Sequence, residues 1–283
     1  MANHGYRIVD VFTNVAFGGN PLAVFPEATG IDPASFQKIA RELNLSETTF
    51  VLPPSRPDCD ARVRIFTPAT ELPMAGHPTV GTAFVLDRGD RIVFEEGVGP
   101  IVVERIGAAR WRMMQPRPVF GEPLRERAAL AAALGISQED LAAELPAQPV
   151  STGVPFLIVP LRDRAALARL ALRAELWRAL DSGVQGLYAF TSLGDGEAQS
   201  RMLGVAGIAE DPATGSAAGP LGAYLVHHRV VAAGAPARIL VRQGVEMGRP
   251  SEIHVEVEGG PEAPRCARVA GDCVALGHGV LTL

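Results

Sequence analysis

The sequence predicts an α+β protein of two pseudo-symmetric domains, each a curved, mostly antiparallel sheet wrapped around a central helix. Three observations lead there. The chain has 283 residues, about twice an ordinary domain. Its elements run through one order in the first half and repeat that order in the second. Each half also carries a helix-like segment built from small residues, Gly76 to Leu86 and Gly215 to Val226. Glycine inside a helix costs ~1 kcal/mol relative to alanine, and close packing of a sheet around the helix would offset that cost.

The elements follow in order. YRIVDVFT, from Tyr6 to Thr13, alternates β-branched and aromatic residues and reads as a strand. FGGN then signals a turn and PLAVF a second strand. DPASFQKIARELN reads as an amphipathic helix that Asp32 or Ser35 can cap, with Phe36, Ile39 and Leu43 at helical spacing. SETTFVLPP and ARVRIFT are further strands, and GHPTVGTAFVLDRG reads as a helix ended by Gly89. RIVFEEGVGPIVVERI and ARWRMMQPRP read as antiparallel hairpin strands. The Ala-rich, helical stretch from Pro118 to Pro146 joins the halves, which places the domains at 1–117 and 118–270.

The repeat is visible residue by residue. Gly19-Asn20-Pro21-Leu22-Ala23-Val24 matches Gly153-Val154-Pro155-Phe156-Leu157-Ile158, 134 positions later. Glu47-Thr48-Thr49-Phe50-Val51 falls on Gln185-Gly186-Leu187-Tyr188-Ala189, 138 positions later. Glu71-Leu72-Pro73-Met74-Ala75-Gly76-His77 falls on Glu210-Asp211-Pro212-Ala213-Thr214-Gly215-Ser216, 139 positions later. Each match is short, but three in one order at nearly constant spacing point to internal duplication.

Composition removes several classes. Lys+Arg 26 against Asp+Glu 31 gives a net charge of −5 with no basic block, the opposite of a nucleic-acid surface. No run approaches the ~18 apolar residues of a membrane span, and the first residues carry no secretory signal. Cys59, Cys266 and Cys273 lack CxxC spacing, so neither a disulfide framework nor a zinc site is indicated and a reducing cytoplasm is the expected location. No GxGxxG follows the first strand and no GxxxxGK is present, which removes dinucleotide and P-loop readings. Adjacent His227 and His228 point about 100° apart on a helix, so they read as a solvated helix end rather than a metal pair. Arg249 lies in a turn, QGVEMGRPS, and could face an anion.

The residues that could carry chemistry gather at the duplicated loops. ELPMAGHP and EDPATGSA each lead into a helix, whose first N–H groups lack partners and whose dipole favours a negative guest. Two such ends facing each other would hold a small carboxylate without any arginine. Gly76 and Gly215 stand at these ends, with His77 and Ser216 in equivalent places and Asp211 just upstream. Taken singly, the glycines serve tight turns, Asp211 caps a loop before Pro212, and His77 donates to a backbone carbonyl. Glu47 either caps a surface turn after the first helix or, since it opens an otherwise apolar strand, is buried with a pKa raised into the range useful for proton transfer. A Ser216–His77–Asp211 hydrolase triad is also conceivable, but Gly215-Ser216-Ala217-Ala218-Gly219 does not fit the G-x-S-x-G elbow. A non-catalytic protein that binds a small anion is the remaining alternative.

FGGNPLAVF, NLSETTFVLPP, RIFTPATELPMAGHPTVGTAF, EDPATGSAAGPLGAYL and QGVEMGRPS together resemble the PhzF-like isomerases of phenazine biosynthesis, whose fold is that of diaminopimelate epimerase. The likeness covers nearly the whole chain. It implies an active site in the cleft between two domains, a homodimer, and a last strand, about 271–283, that packs on the first domain. It implies Glu47 as the acid/base that moves a proton, with His77 and Asp211 beside it and Asn20, Gly76, Gly215 and Ser216 binding the substrate. That substrate would be a small carboxylate, dihydro-hydroxyanthranilate-like or amino-acid-like, handled without metal or organic cofactor. Related epimerases and proline racemases place a cysteine at each helix start. Here Ala75 and Thr214 stand nearby without a thiol, so a two-thiol mechanism is not expected.

Overall fold

The computed structural model describes residues 2–180, 183, 184, 186–205, 208–232 and 236–283, without the side chains of Val205, Ile208 and Cys266. The first half contains β1 (Asn3–Val11), β2 (Asn20–Phe25), α1 (Phe36–Leu43), β3 (Glu47–Leu52), β4 (Ala61–Phe66), β5 (Glu71–Leu72), α2 (Gly76–Leu86), β6 (Arg91–Glu96), β7 (Gly99–Arg105) and β8 (Arg110–Gln115). β9 (Val119–Phe120) and α3 (Arg127–Leu134) follow. The second half contains β10 (Gln148–Ser151), β11 (Pro155–Pro160), α4 (Arg164–Ala168), α5 (Ala174–Ala179), β12 (Gly186–Gly194), β13 (Glu197–Val205), β14 (Ile208–Asp211), α6 (Gly215–His227), β15 (Ala237–Gln243), β16 (Ser251–Gly260) and β17 (Ala263–Thr282).

Strand pairing repeats as the sequence does. In the first lobe β1 pairs antiparallel with β2, β2 parallel with β3, β3 antiparallel with β4 and β4 parallel with β6. In the second, β10–β11, β11–β12, β12–β13 and β13–β15 follow the same antiparallel and parallel pattern. The long β17 closes both lobes. Its first part pairs with β16 and β8, and its second part, from Cys273 onward, returns to pair with β1. Each sheet therefore curls around one helix, α2 or α6, that is buried on almost every side.

The small residues explain how the sheets close so tightly. A methyl group added at Gly81 would lie 2.6 Å from Leu22 and 2.7 Å from Val11 of the surrounding strands. One added at Gly222 would meet Val255 at 2.6 Å. The apolar side chains of the wrapping strands, among them Val9, Leu22, Trp111, Val255 and Val257, fill the remaining space and are fully buried. Outside the first barrel, α1 covers β2 to β4 through stacked rings, with Phe36 and Phe50 centroids 4.1 Å apart and Phe25 5.0 Å from Phe50.

Two local expectations shift. The α-helix begins at Phe36, after a 3-10 turn over Pro33–Ser35 that Asp32 caps through Ala34 N. The second helix ends at Leu86 rather than Gly89, because Asp87 itself takes the left-handed conformation (φ 48°) that stops it. Strand register also corrects the repeat. Leu22 lies opposite Glu47, and Leu22's counterpart Phe156 lies opposite Gly186. The structural counterpart of Glu47 is thus Gly186; Gln185, matched to it by sequence, lies outside the described residues.

The lobes meet at the two helix starts. A methyl group at Gly76 would fall 2.5 Å from Gly215 Cα and 2.5 Å from Ser216 N, inside any real contact distance. Gly76→Ala should therefore cost ~2 kcal/mol or more by forced separation of the backbones, seen as a fall of several degrees in Tm. Gly260→Ala, at a position with nothing within 4 Å, should leave Tm nearly unchanged.

Candidate active site

A cavity of about 360 Å³ opens between the lobes at these helix starts. Glu47, His77, Asp211 and Thr214 line its polar side, with Gly76, Gly215 and Ser216 at the helix ends. Leu72, Pro73, Met74, Val154, Pro155 and Phe156 form its apolar part, and Thr70 and Glu71 stand at the lining beside Leu72. Among the lining residues the described structure places no lysine or arginine. The positive ends of α2 and α6 are the groups available to hold an anion there, each worth ~0.3–1 kcal/mol at exposed sites and up to ~2 when partly buried.

The polar side is one connected network. Asn20 Nδ2 donates to Asp211 Oδ1 at 2.7 Å and to Ala213 O at 3.0 Å, and lies 3.0 Å from His77 Nδ1. Both hydrogens of that amide are taken by Asp211 and Ala213, so its contact with Nδ1 leaves the imidazole tautomer open. Thr214 Oγ1 donates to Asp211 Oδ2 at 2.5 Å. Behind it, Gln243 Nε2 donates to Asp211 O and Thr214 Oγ1, while its Oε1 accepts from Thr214 N and Tyr188 OH. Asp211 is thereby fixed by groups from both lobes.

Glu47 and His77 face each other, His77 Nε2 to Glu47 Oε2 at 3.1 Å. The contact meets the distance but not the direction of a hydrogen bond, and both atoms are buried without another partner. Two such groups at a cavity wall are free to engage a guest. Burial, and secondarily the charge of Asp211, pushes the Glu47 carboxyl well above the ordinary glutamate range. Burial raises Asp211 to about 6, against the opposing hydrogen bonds of Thr214 and Asn20. Burial lowers His77 to about 3 despite an opposing contact with the Pro21 backbone, so its ring is neutral at ordinary pH.

Ser216 stands at the start of α6, but His77 is engaged by Asn20 at Nδ1 and faces Glu47 at Nε2, which leaves no base for a serine triad. Arg249 does not line the cavity, and the anion it faces is the chain's own Asp10. It donates to Asp10 Oδ1 and to the Gly18 and Gly19 carbonyls, pinning the loop before Asn20. His227 and His228 are half-buried rather than solvated, bonded to Pro261 O and Gln148 Oε1 and packed on Phe120 and Tyr224. Among the described residues no group of three His, Cys, Asp or Glu could hold a metal. Cys59 and Cys273 are buried free thiols that do not line the cavity. Ala75 and Thr214 are the N-caps of the two helices.

The chain matches the family model for phenazine biosynthesis-like proteins over residues 9–279. It belongs to that family. It is 41% identical over 290 residues to the trans-2,3-dihydro-3-hydroxyanthranilate isomerase of Pseudomonas fluorescens, covering 99% of this chain and 100% of that one. The enzyme of the same name from Pseudomonas aeruginosa is 39% identical, with 98% of each chain covered. A solved structure described as a predicted epimerase from Pseudomonas aeruginosa superposes with a TM-score of 0.85 at 34% identity, over 99% of each chain. The phenazine biosynthesis-like protein described here is an isomerase with the two-lobed epimerase fold. Among its described residues, no helix is long and apolar enough to cross a membrane.

Sequence reasoning singled out Glu47, His77, Asp211, Asn20, Gly76, Gly215 and Ser216, and these residues come together at the cleft. It missed the supports: Thr214 as a donor, Gln243, Tyr188, and Glu96. Glu96 packs beneath α2, where Thr79 Oγ1 lies 2.6 Å from Ala75 O and 2.5 Å from Glu96 Oε1. One hydroxyl hydrogen cannot serve both oxygens. Burial raises Glu96 to about 8, so at neutral pH the protonated carboxyl donates to Thr79, and Thr79 donates to Ala75. A carboxyl raised in the folded state costs nothing below pH ~4.5 and destabilises increasingly up to about 8. Glu96→Gln should match wild type in unfolding free energy near pH 4 and exceed it above pH 8, by an amount on the order of a few kcal/mol, read by denaturant unfolding across pH.

Proposed function

We propose that this chain isomerises a small unsaturated carboxylate, with trans-2,3-dihydro-3-hydroxyanthranilate as the first substrate to test, by moving one proton between two carbons through Glu47. The observation that carries this reading is the Glu47 carboxyl, buried at the cavity, raised by burial and with Oε2 unpartnered, whereas both oxygens of the neighbouring Asp211 are held by Asn20 and Thr214. Raising a glutamate carboxyl moves it toward the proton affinity that acid/base work near neutral pH requires.

The proposed steps are these. The substrate carboxylate is held by the first amides of α2 and α6. Glu47 as carboxylate removes a proton from a carbon next to the unsaturated system, and the electron pair left behind spreads into that system and the carboxylate. The helix ends stabilise the charge that builds there. Glu47, now the acid, returns the proton to a second carbon on the same face, and the electron pair forms the new C–H bond. Glu47 is regenerated as carboxylate, and no electrons enter or leave. Neutral His77 presents Nε2 to Glu47 at the cavity wall, and burial together with the charge of Asp211 raises the proton affinity of Glu47. The apolar wall of Leu72, Val154 and Phe156 receives the opposite face of the substrate.

Glu47→Gln keeps the size and removes the base. It should lower kcat on trans-2,3-dihydro-3-hydroxyanthranilate by about 10²–10⁴, with circular dichroism and Tm close to wild type. A rate within a few-fold of wild type contradicts the assignment. A small anion that raises Tm without any substrate being turned over would favour a binding protein instead.

A further inference from the structure

One arrangement outside the cavity's polar network is present twice. Arg64 in β4 donates from Nε to Glu71 Oε1 at 2.7 Å and from Nη2 to Oε2 at 2.8 Å. Arg201 in β13 donates to Glu210 in the same way, at 2.7 and 2.8 Å. Register makes the two pairs equivalent, because Ile65 lies opposite Leu72 and Met202 opposite Asp211. In each lobe the arginine precedes the first member of that pair by one residue and the glutamate precedes the second. Both arginines are tied to the helix that bridges the parallel strands of their lobe. The Arg64 guanidinium lies 5.2 Å from the ring centre of Phe36, at the start of α1, and 5.0 Å from that of Phe66. Arg201 Nη1 donates to the carbonyls of Leu167, Ala168 and Leu170 at the end of α4, at 3.0, 3.2 and 3.2 Å.

Successive side chains on a strand point to opposite faces, and a slip of one residue exchanges the faces. β5 has two residues and β14 four, so few ladder bonds hold their register. A bidentate arginine–carboxylate fork fixes direction as well as distance. We infer that Arg64–Glu71 and Arg201–Glu210 are register locks on the two short strands that enter the cleft, with Arg201 and Glu210 as positioning residues that aim Asp211 at Asn20, Thr214 and Glu47. The lock of the second lobe is the drier one, its side chains 9% and 20% exposed against 23% and 42% in the first, so solvent and salt screen it less. Where the first lobe's lock presents Leu72 to the cavity, the second presents Asp211. The same device thus serves the apolar wall and the acidic one.

The inference rests on the proposed site only in that Asp211 belongs to it, so the decisive readout does not require turnover. Carbon-13 NMR of the carboxyls in the full chain, read across pH, follows Asp211 directly. Arg201→Lys keeps the charge and loses the fork; Glu210→Gln loses the fork and leaves the Arg201 bonds to α4 in place. Both should fold, and the Asp211 midpoint should fall by about one pH unit or more toward ordinary aspartate as the side chain leaves its dry seat. The acid limb of the wild-type activity should move with it. Glu252→Gln breaks an exposed pair with Arg242 and should leave Asp211 unmoved. An unchanged midpoint in folded Glu210→Gln overturns the inference even if Arg201→Lys does not fold, and so does an equal shift in Glu252→Gln. If wild type turns over no carboxylate, the proposed function fails while the NMR result still decides the lock.

Discussion

At Gly76 and Gly215 two helices meet backbone to backbone, with their N-terminal ends converging on one small cavity. Each end carries roughly half a positive charge. Bringing two such ends together in a dry place is unfavourable unless something negative lies nearby. The buried carboxyls of Glu47 and Asp211 supply part of that charge, and a carboxylate guest would supply the rest. The close approach also explains the wedge behind it. Phe12, buried at a left-handed φ of 65°, fills the space beside Gly215 and Gly271, where a methyl group at either would strike its ring at 2.8 and 2.2 Å. The glycines, the wedge and the crossing strand β17 are parts of one constraint.

Duplication built the scaffold symmetrically, and the site departs from that symmetry at a few side chains. Asn20 faces the cleft where the other lobe has Val154, Glu47 where it has Gly186, and His77 where it has Ser216. In the opposite direction, Asp211 stands where the first lobe has Leu72. The buried polar groups Asn20, Glu47, His77 and Asp211 therefore lack counterparts of the same type across the pseudo-symmetry. The proposed removal and return of a proton on one face requires such a group on one side of the substrate only.

Much of this was legible in the sequence because duplication makes weak signals reinforce one another. The equivalence of Gly76-His77 with Gly215-Ser216 located both helix starts and the cleft. The small residues of α2 and α6 revealed the wrapped sheets, since glycine in a helix needs a packing reason. Other features were hidden because they depend on distance in space alone. Gln243, Tyr188 and Thr214 form a chain of hydrogen bonds behind Asp211, yet they are scattered over nearly sixty residues with no periodicity. Glu96 looks like any strand-end glutamate until burial is known. The one-residue error in matching Glu47 arose because the segments joining the parallel strands differ in length between the lobes, and only strand register resolves it. Arg249, polar and conspicuous in a turn, is a pin for the preceding loop rather than an anion site.

The central claim, that a single carboxyl handles the proton while two helix ends hold the anion, is tested most directly by a crystal structure with 3-hydroxyanthranilate, an aromatic acid of related shape that lacks the proton to be moved. The account predicts its carboxylate against the first amides of α2 and α6 and its ring over Val154 and Phe156. It also predicts a Glu47 oxygen within about 2.6–3.2 Å of a ring atom or its substituent, or one water away. A ligand seated elsewhere, or a Glu47 side chain turned from the bound ring, would contradict it.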